Sequence, residues 1–101
     1  MEKEIIDIMR SRCLDKIHLE YLIDLGDEYD ADGDAYPITC NTIIVENGEV
    51  IIYDDNHENC DGSVDAEDKH IFSDLDEDQQ KQALWSLDAT LEYLDKNNID
   101  V

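Results

Sequence analysis

Apolar positions in residues 2–14 recur at helical spacing. Ile5, Ile6, Met9 and Cys13 fall on one stripe, with Lys3, Glu4, Asp7 and Arg10 largely opposite, and so predict a first helix. From Ile17 the period drops to two: Ile17, Leu19, Tyr21, Ile23 and Leu25 alternate with His18, Glu20, Leu22 and Asp24. That alternation predicts a half-buried strand whose outer face is polar except for Leu22. Gly26 ends the strand, and residues 27–34 hold turn formers, five carboxylates and no base, so they read as an exposed acidic loop.

Pro37 opens a second strand over residues 38–46, and Asn47-Gly48 marks a tight hairpin because both residues tolerate positive φ. The third strand returns over residues 49–54. Residues 54–70 are polar, contain Asn56, Asn59 and Gly62, and lack a sustained apolar period, which predicts a long loop followed by a short strand at 70–72. Asp76 and Gln79 match a capping box, and Asp76, Glu77 and Asp78 suit the positive end of a helix dipole. The second helix then runs to Lys96. Ala83, Leu84, Leu87, Leu91 and Leu94 form one stripe on it, with Trp85, Ala89 and Tyr93 beside, a wide face expected to be buried on a sheet. The element order predicts one α+β domain over residues 1–101: a small antiparallel sheet of three to four strands with an N-terminal and a C-terminal helix, α-β-β-β-(β)-α.

Composition adds a strong bias to this picture. Seven basic residues oppose 28 acidic ones, for a net charge of −21, yet 42% of the chain is hydrophobic, enough to fold rather than form a disordered acidic tail. The charge is unevenly spread. Residues 1–16 balance four bases (Lys3, Arg10, Arg12, Lys16) against four acids, so the whole excess lies in residues 17–101, where only Lys69, Lys81 and Lys96 oppose 24 carboxylates. This argues against direct contact with nucleic acid or an anionic membrane, both of which need clustered Lys and Arg. A basic protein is the expected partner. The competing reading is acidity that serves only solubility.

Three cysteines, Cys13, Cys40 and Cys60, are an odd number without framework spacing and point to a reducing compartment, the cytoplasm. No apolar run approaches a membrane span, and the start Met1-Glu2-Lys3-Glu4 is unlike a signal peptide.

Candidate chemistry is thin. Residues 30–34 place Asp30, Asp32 and Asp34 at alternate positions, as a calcium loop would, but counting from Asp30 the sixth position is Ala35 rather than glycine and the twelfth is Asn41 rather than glutamate. His57 and Cys60 are spaced like half a zinc site, with His70 or Cys40 as further ligands, but no second close pair exists. No metal or cofactor is therefore expected. Carboxylates are too abundant for any pair to stand out as a general acid and base, and no nucleophile signature or phosphate loop is present, so catalysis is not expected.

In overall character, though not in any motif, the chain resembles the DNA-mimic inhibitors of phages and mobile elements, including anti-restriction and anti-CRISPR proteins. That resemblance implies an acidic inhibitor filling the basic nucleic-acid groove of a partner enzyme. Its expected contacts are Asp24, Asp27, Glu28, Asp30, Asp32 and Asp34, together with Asp54, Asp55, Glu58 and Asp61. On an extended segment Asp30, Asp32 and Asp34 would repeat every ~6.6 Å, close to two axial steps of a DNA strand. Two other classes compete. An immunity protein or antitoxin covering a basic enzyme would use Tyr29 or Tyr36 as interface anchors, and a calcium-responsive structural domain would be stabilised by the ion.

Overall fold

The computed structural model describes residues 1–97. Helix α1 (Glu2–Ser11) is followed by β1 (Lys16–Tyr29), β2 (Ala35–Glu46), β3 (Glu49–Tyr53), the short β4 (His70–Ile71) and helix α2 (Glu77–Lys96), with 3-10 turns at Asp55–His57, Ala66–Asp68 and Phe72–Asp74. The four strands form one antiparallel sheet in the order β1-β2-β3-β4. This is the predicted α+β arrangement, with the fourth strand present. No helix among the described residues is long and apolar enough to cross a membrane.

Cross-strand partners share a face of the sheet. Ile17, Ile43 and Ile52 pair across β1, β2 and β3, are all buried, and join Ile5 and Met9 of α1 with Ala83, Leu87 and Leu91 of α2 in one core cluster. Both helices therefore cover the same face. On the other face Lys16 pairs with Ile44, and Ile44 with Ile51.

The first helix ends three residues earlier than its apolar stripe suggests. Cys13 takes a left-handed conformation (φ 57°), its N–H bonds to the Arg10 carbonyl (3.0 Å), and the Leu14 N–H reaches back to Met9 (2.9 Å). These are the two bonds of a Schellman stop. Cys13 is thereby turned out of the stripe and is exposed.

Strand β1 departs further from expectation. It runs through Gly26 to Tyr29, so Asp27 and Glu28 belong to a strand, not a loop, and pair with Pro37 and Tyr36. Between His18 and Ile23 it bulges: five steps of β1 match two of β2. The bulge breaks the simple alternation, so Tyr21, expected inside, is 41% exposed.

A bulged strand leaves backbone groups without a ladder partner, and α2 supplies them. The Glu20 N–H donates to Thr90 Oγ1 (3.0 Å), Ser86 Oγ donates to the Tyr21 carbonyl, the Asp24 N–H donates to Gln82 Oε1, and Gln79 Nε2 donates to the Leu25 carbonyl (3.0 Å). Residues 79, 82, 86 and 90 lie at helical spacing on one face. That ladder sets the roll of α2: Ser86 and Thr90 are buried, whereas Trp85, expected in the buried stripe, is 58% exposed and tilts against Tyr21 at 5.5 Å between ring centroids. The predicted capping box is present, with Asp76 accepting from the Gln79 N–H (2.8 Å) and Gln79 Oε1 accepting from the Asp76 N–H (3.1 Å).

Candidate functional site

Beyond the ladder to α2, strands β1 and β2 continue as a two-stranded arm. Every residue from 26 to 37 is exposed, and the molecule measures 45 × 31 × 27 Å. The arm carries Asp27, Glu28, Asp30, Asp32 and Asp34 and no Lys, Arg or His. Its root is Gly26, at φ +101°, a conformation that other residues adopt only under strain. Register places Glu28 and Tyr36 on one face of the ribbon, where the Tyr36 hydroxyl donates to Glu28 Oε2 (3.3 Å), and Tyr29 with Ala35 on the other. Partial desolvation against the ribbon, then the charge of Glu28, pushes the Tyr36 phenol pKa up.

The tip corrects the expected geometry of alternating carboxylates. Residues 30–34 are a closed turn, not an extended segment: the Asp30 N–H donates to the Asp34 carbonyl (3.0 Å), and Asp30 Oδ1 accepts from the Asp32 and Asp34 N–H groups (2.9 Å each). Asp30 is spent on holding the turn, so Asp30, Asp32 and Asp34 do not form the ~6.6 Å row of an extended strand. Nor do they converge as a calcium loop would. Among the described residues the group of acids whose ligand atoms lie within 4.8 Å of one another is Asp65, Glu67 and Asp68.

No family model, curated protein or solved structure matches this chain.

The second half of the predicted contact set lies on the segment after β3. Glu58 accepts from Lys16 Nζ and from the Tyr53 hydroxyl, each at 2.7 Å, and the lysine sits over the Tyr53 ring. The Lys16 bond first, then that of Tyr53, holds the Glu58 carboxyl below its usual range. Asp55 lies 3.2 Å from His18 Nδ1 and accepts from Asn41 Nδ2 (2.9 Å). Asp61 accepts from the Ser63 hydroxyl (2.6 Å) and N–H (3.0 Å), which lowers its pKa. Asp54 caps the next turn by accepting from the Asn56 N–H (3.0 Å). These four acids therefore shape their own segment, and Asp55 and Glu58 face cationic or titratable partners.

One acid from each half of the set, Glu28 and Asp54, lines a common cleft. A cleft of about 330 Å³ opens between the arm and the segment after β3, lined by Glu28, Tyr36 and Ile38 on one side and Asp54, Glu67, Asp68 and His70 on the other. His57 also lines it, with Nδ1 3.3 Å from Asp68 Oδ1. Three of the imagined zinc ligands, Cys40, His57 and His70, reach this cleft, while Cys60 does not line it. Cys40 is 1% exposed, and burial pushes its thiol up to about 12, so it is protonated and unreactive at neutral pH. Glu67 and Asp68 escaped the sequence reading because they sit in a polar stretch without periodicity; only the folded path of residues 54–70 brings them opposite Glu28.

Proposed function

We propose that this protein is an acidic inhibitor that occupies the basic nucleic-acid groove of a partner as a mimic of the polyanion, with the arm as its leading contact. One observation carries the reading: a ribbon exposed along residues 26–37, with five carboxylates and no cation, standing out from the body. Such a ribbon can enter a groove and offer carboxylates to both walls, displacing the partner's bound anions and steering the encounter electrostatically. The action is occupancy, without chemistry on the partner. Cytoplasm is the compartment this reading assigns, in keeping with three free thiols among the described residues.

A second reading, an immunity protein or antitoxin clamped on one basic enzyme, is favoured by Tyr29 and Tyr36, 72% and 42% exposed on opposite faces of the arm, where aromatic anchors dominate tight interfaces. The two separate in one experiment. Tagged protein is used for capture from lysate at about 50 mM and about 500 mM NaCl, with and without competing duplex DNA. Mimicry predicts recovery of basic nucleic-acid enzymes that are released by salt and displaced by the duplex. It further predicts that the triple variant Asp27→Asn, Asp32→Asn, Asp34→Asn, which spares the turn-holding Asp30, weakens capture by about tenfold. Recovery of no basic enzyme sinks the reading. A single salt-resistant partner lost on Tyr29→Ala supports the second.

A further inference from the structure

Strand β2 changes its company part-way along. Over residues 42–44 it lies between β1 and β3, but over residues 35–40 its strand neighbour is β1 alone. The divergence is held open by Asn41, whose Nδ2 donates to Asp55 Oδ1 while its Oδ1 accepts from the Asp55 N–H, both at 2.9 Å. The chain leaving β3 is thus fastened to a side chain and carried away from the edge of β2. Among the described residues no backbone group pairs with Ile38, Thr39 or Cys40 from that side.

That bare edge lies along the cleft. Glu28 stands on one wall and Asp54, Glu67 and Asp68 on the other, with no lysine or arginine in the lining. Each of these four carboxylates keeps at least one oxygen with no hydrogen-bond partner among the described residues: Glu28 and Tyr36 share one bond, Asp54 gives one oxygen to its turn, and Asp68 turns one toward His57.

An uncovered strand edge is a template for another strand, and the walls decide which. A second copy of this chain brings a net charge of −21 against the same charge, which opposes self-pairing. Pro37 lacks an N–H and so limits pairing toward the arm. We propose that the edge at Ile38 and Thr39 receives an extended segment of a partner protein with Lys or Arg at alternate positions. The segment adds to β2 as a strand, and its cations, repeating every ~6.6 Å on one face, meet the wall of Asp54, Glu67 and Asp68. The inference rests on the reading that the partner is basic. It adds a main-chain contact that a groove-filling polyanion alone does not require.

The test uses the full chain labelled with ¹⁵N and a capped octapeptide of alternating Arg and Val. Three control peptides accompany it: alternating Glu and Val, the Arg-Val peptide with the same residues scrambled to block the charge, and the Arg-Val peptide N-methylated at every second amide. The expected result is saturable binding of the Arg-Val peptide, with amide shifts centred on Ile38 and Thr39 and cross-strand contacts to them. Binding is lost with the glutamate peptide, weakened with the scrambled one, and weakened at least about tenfold by N-methylation, which removes edge hydrogen bonds while keeping the charge. The variant Asp54→Asn, Glu67→Gln, Asp68→Asn weakens it about tenfold, with an unchanged spectrum elsewhere showing that the fold is intact. Equal binding of the N-methylated peptide, shifts confined to residues 30–34, or no binding overturns the proposal. Failure here with capture still dependent on Asp27, Asp32 and Asp34 removes the edge and leaves the arm; loss of capture alone removes the arm and leaves the edge.

Discussion

At Cys13 a side chain occupies a position that favours glycine. Its left-handed backbone stops α1 and aims the chain at β1, and an L-residue there costs about 1–2 kcal/mol relative to helical geometry. Cys13→Gly is expected to stabilise the fold by about 1 kcal/mol, read as a rise of about 4–8 °C in Tm. Glu58 supplies a second residue-scale test. Its pKa is lowered, chiefly by Lys16, so the pair adds stability above the ordinary carboxylate range, and that contribution is lost as pH falls through the lowered value. With Lys16→Gln, the Glu58 carboxyl followed by NMR is expected to titrate higher, while the bond from Tyr53 keeps part of the depression. An unmoved titration would show that Lys16 is not the main cause. Glu58 was singled out from the sequence as an acid, but its pairing with Lys16 was not readable, because the two lie 42 residues apart and meet only in the fold.

Elements were readable where their cause is local. The strand signalled by the two-residue period from Ile17, the Asn47-Gly48 turn and the Asp76/Gln79 capping box each depend on neighbours within a few positions, and each is present, with Tyr21 the one member of the alternating apolar set that faces out. The bulge in β1 depends instead on what β2 and α2 present to it. It turned Tyr21 outward, and it gave Ser86 and Thr90 a buried task that no hydrophobic pattern records. Thr90→Val keeps the shape but leaves the Glu20 N–H without its acceptor, at an expected cost of about 1–3 kcal/mol in chemical denaturation, whereas Thr90→Ser keeps the hydroxyl and costs less. The predicted contact acids divide in the same way. Asp27 and Glu28 were visible as charge but not as strand, since the pairing that extends β1 past Gly26 comes from β2.

For the molecule as a whole, the net charge of −21 makes the folded state repel itself. Among the described residues three Lys or Arg ion pairs are formed, Arg12–Asp95, Lys16–Glu58 and Lys81–Glu77, far too few to offset that repulsion. Raising NaCl from about 10 mM to about 500 mM is therefore expected to raise Tm by about 4–8 °C. A fall would mean that these pairs outweigh the repulsion. Under the proposed function the same salt weakens capture of a basic partner, so stability and binding are expected to move in opposite directions.

The clamp of Gln79 and Gln82 on Leu25 and Asp24 sits immediately before Gly26, where the arm begins. Mechanically the arm is a beam built into the second helix at one end and exposed along the rest of its length. A load on the tip therefore passes through the Gln79 and Gln82 bonds into α2, so the carboxylates are held out from the body on a foot tied to the core.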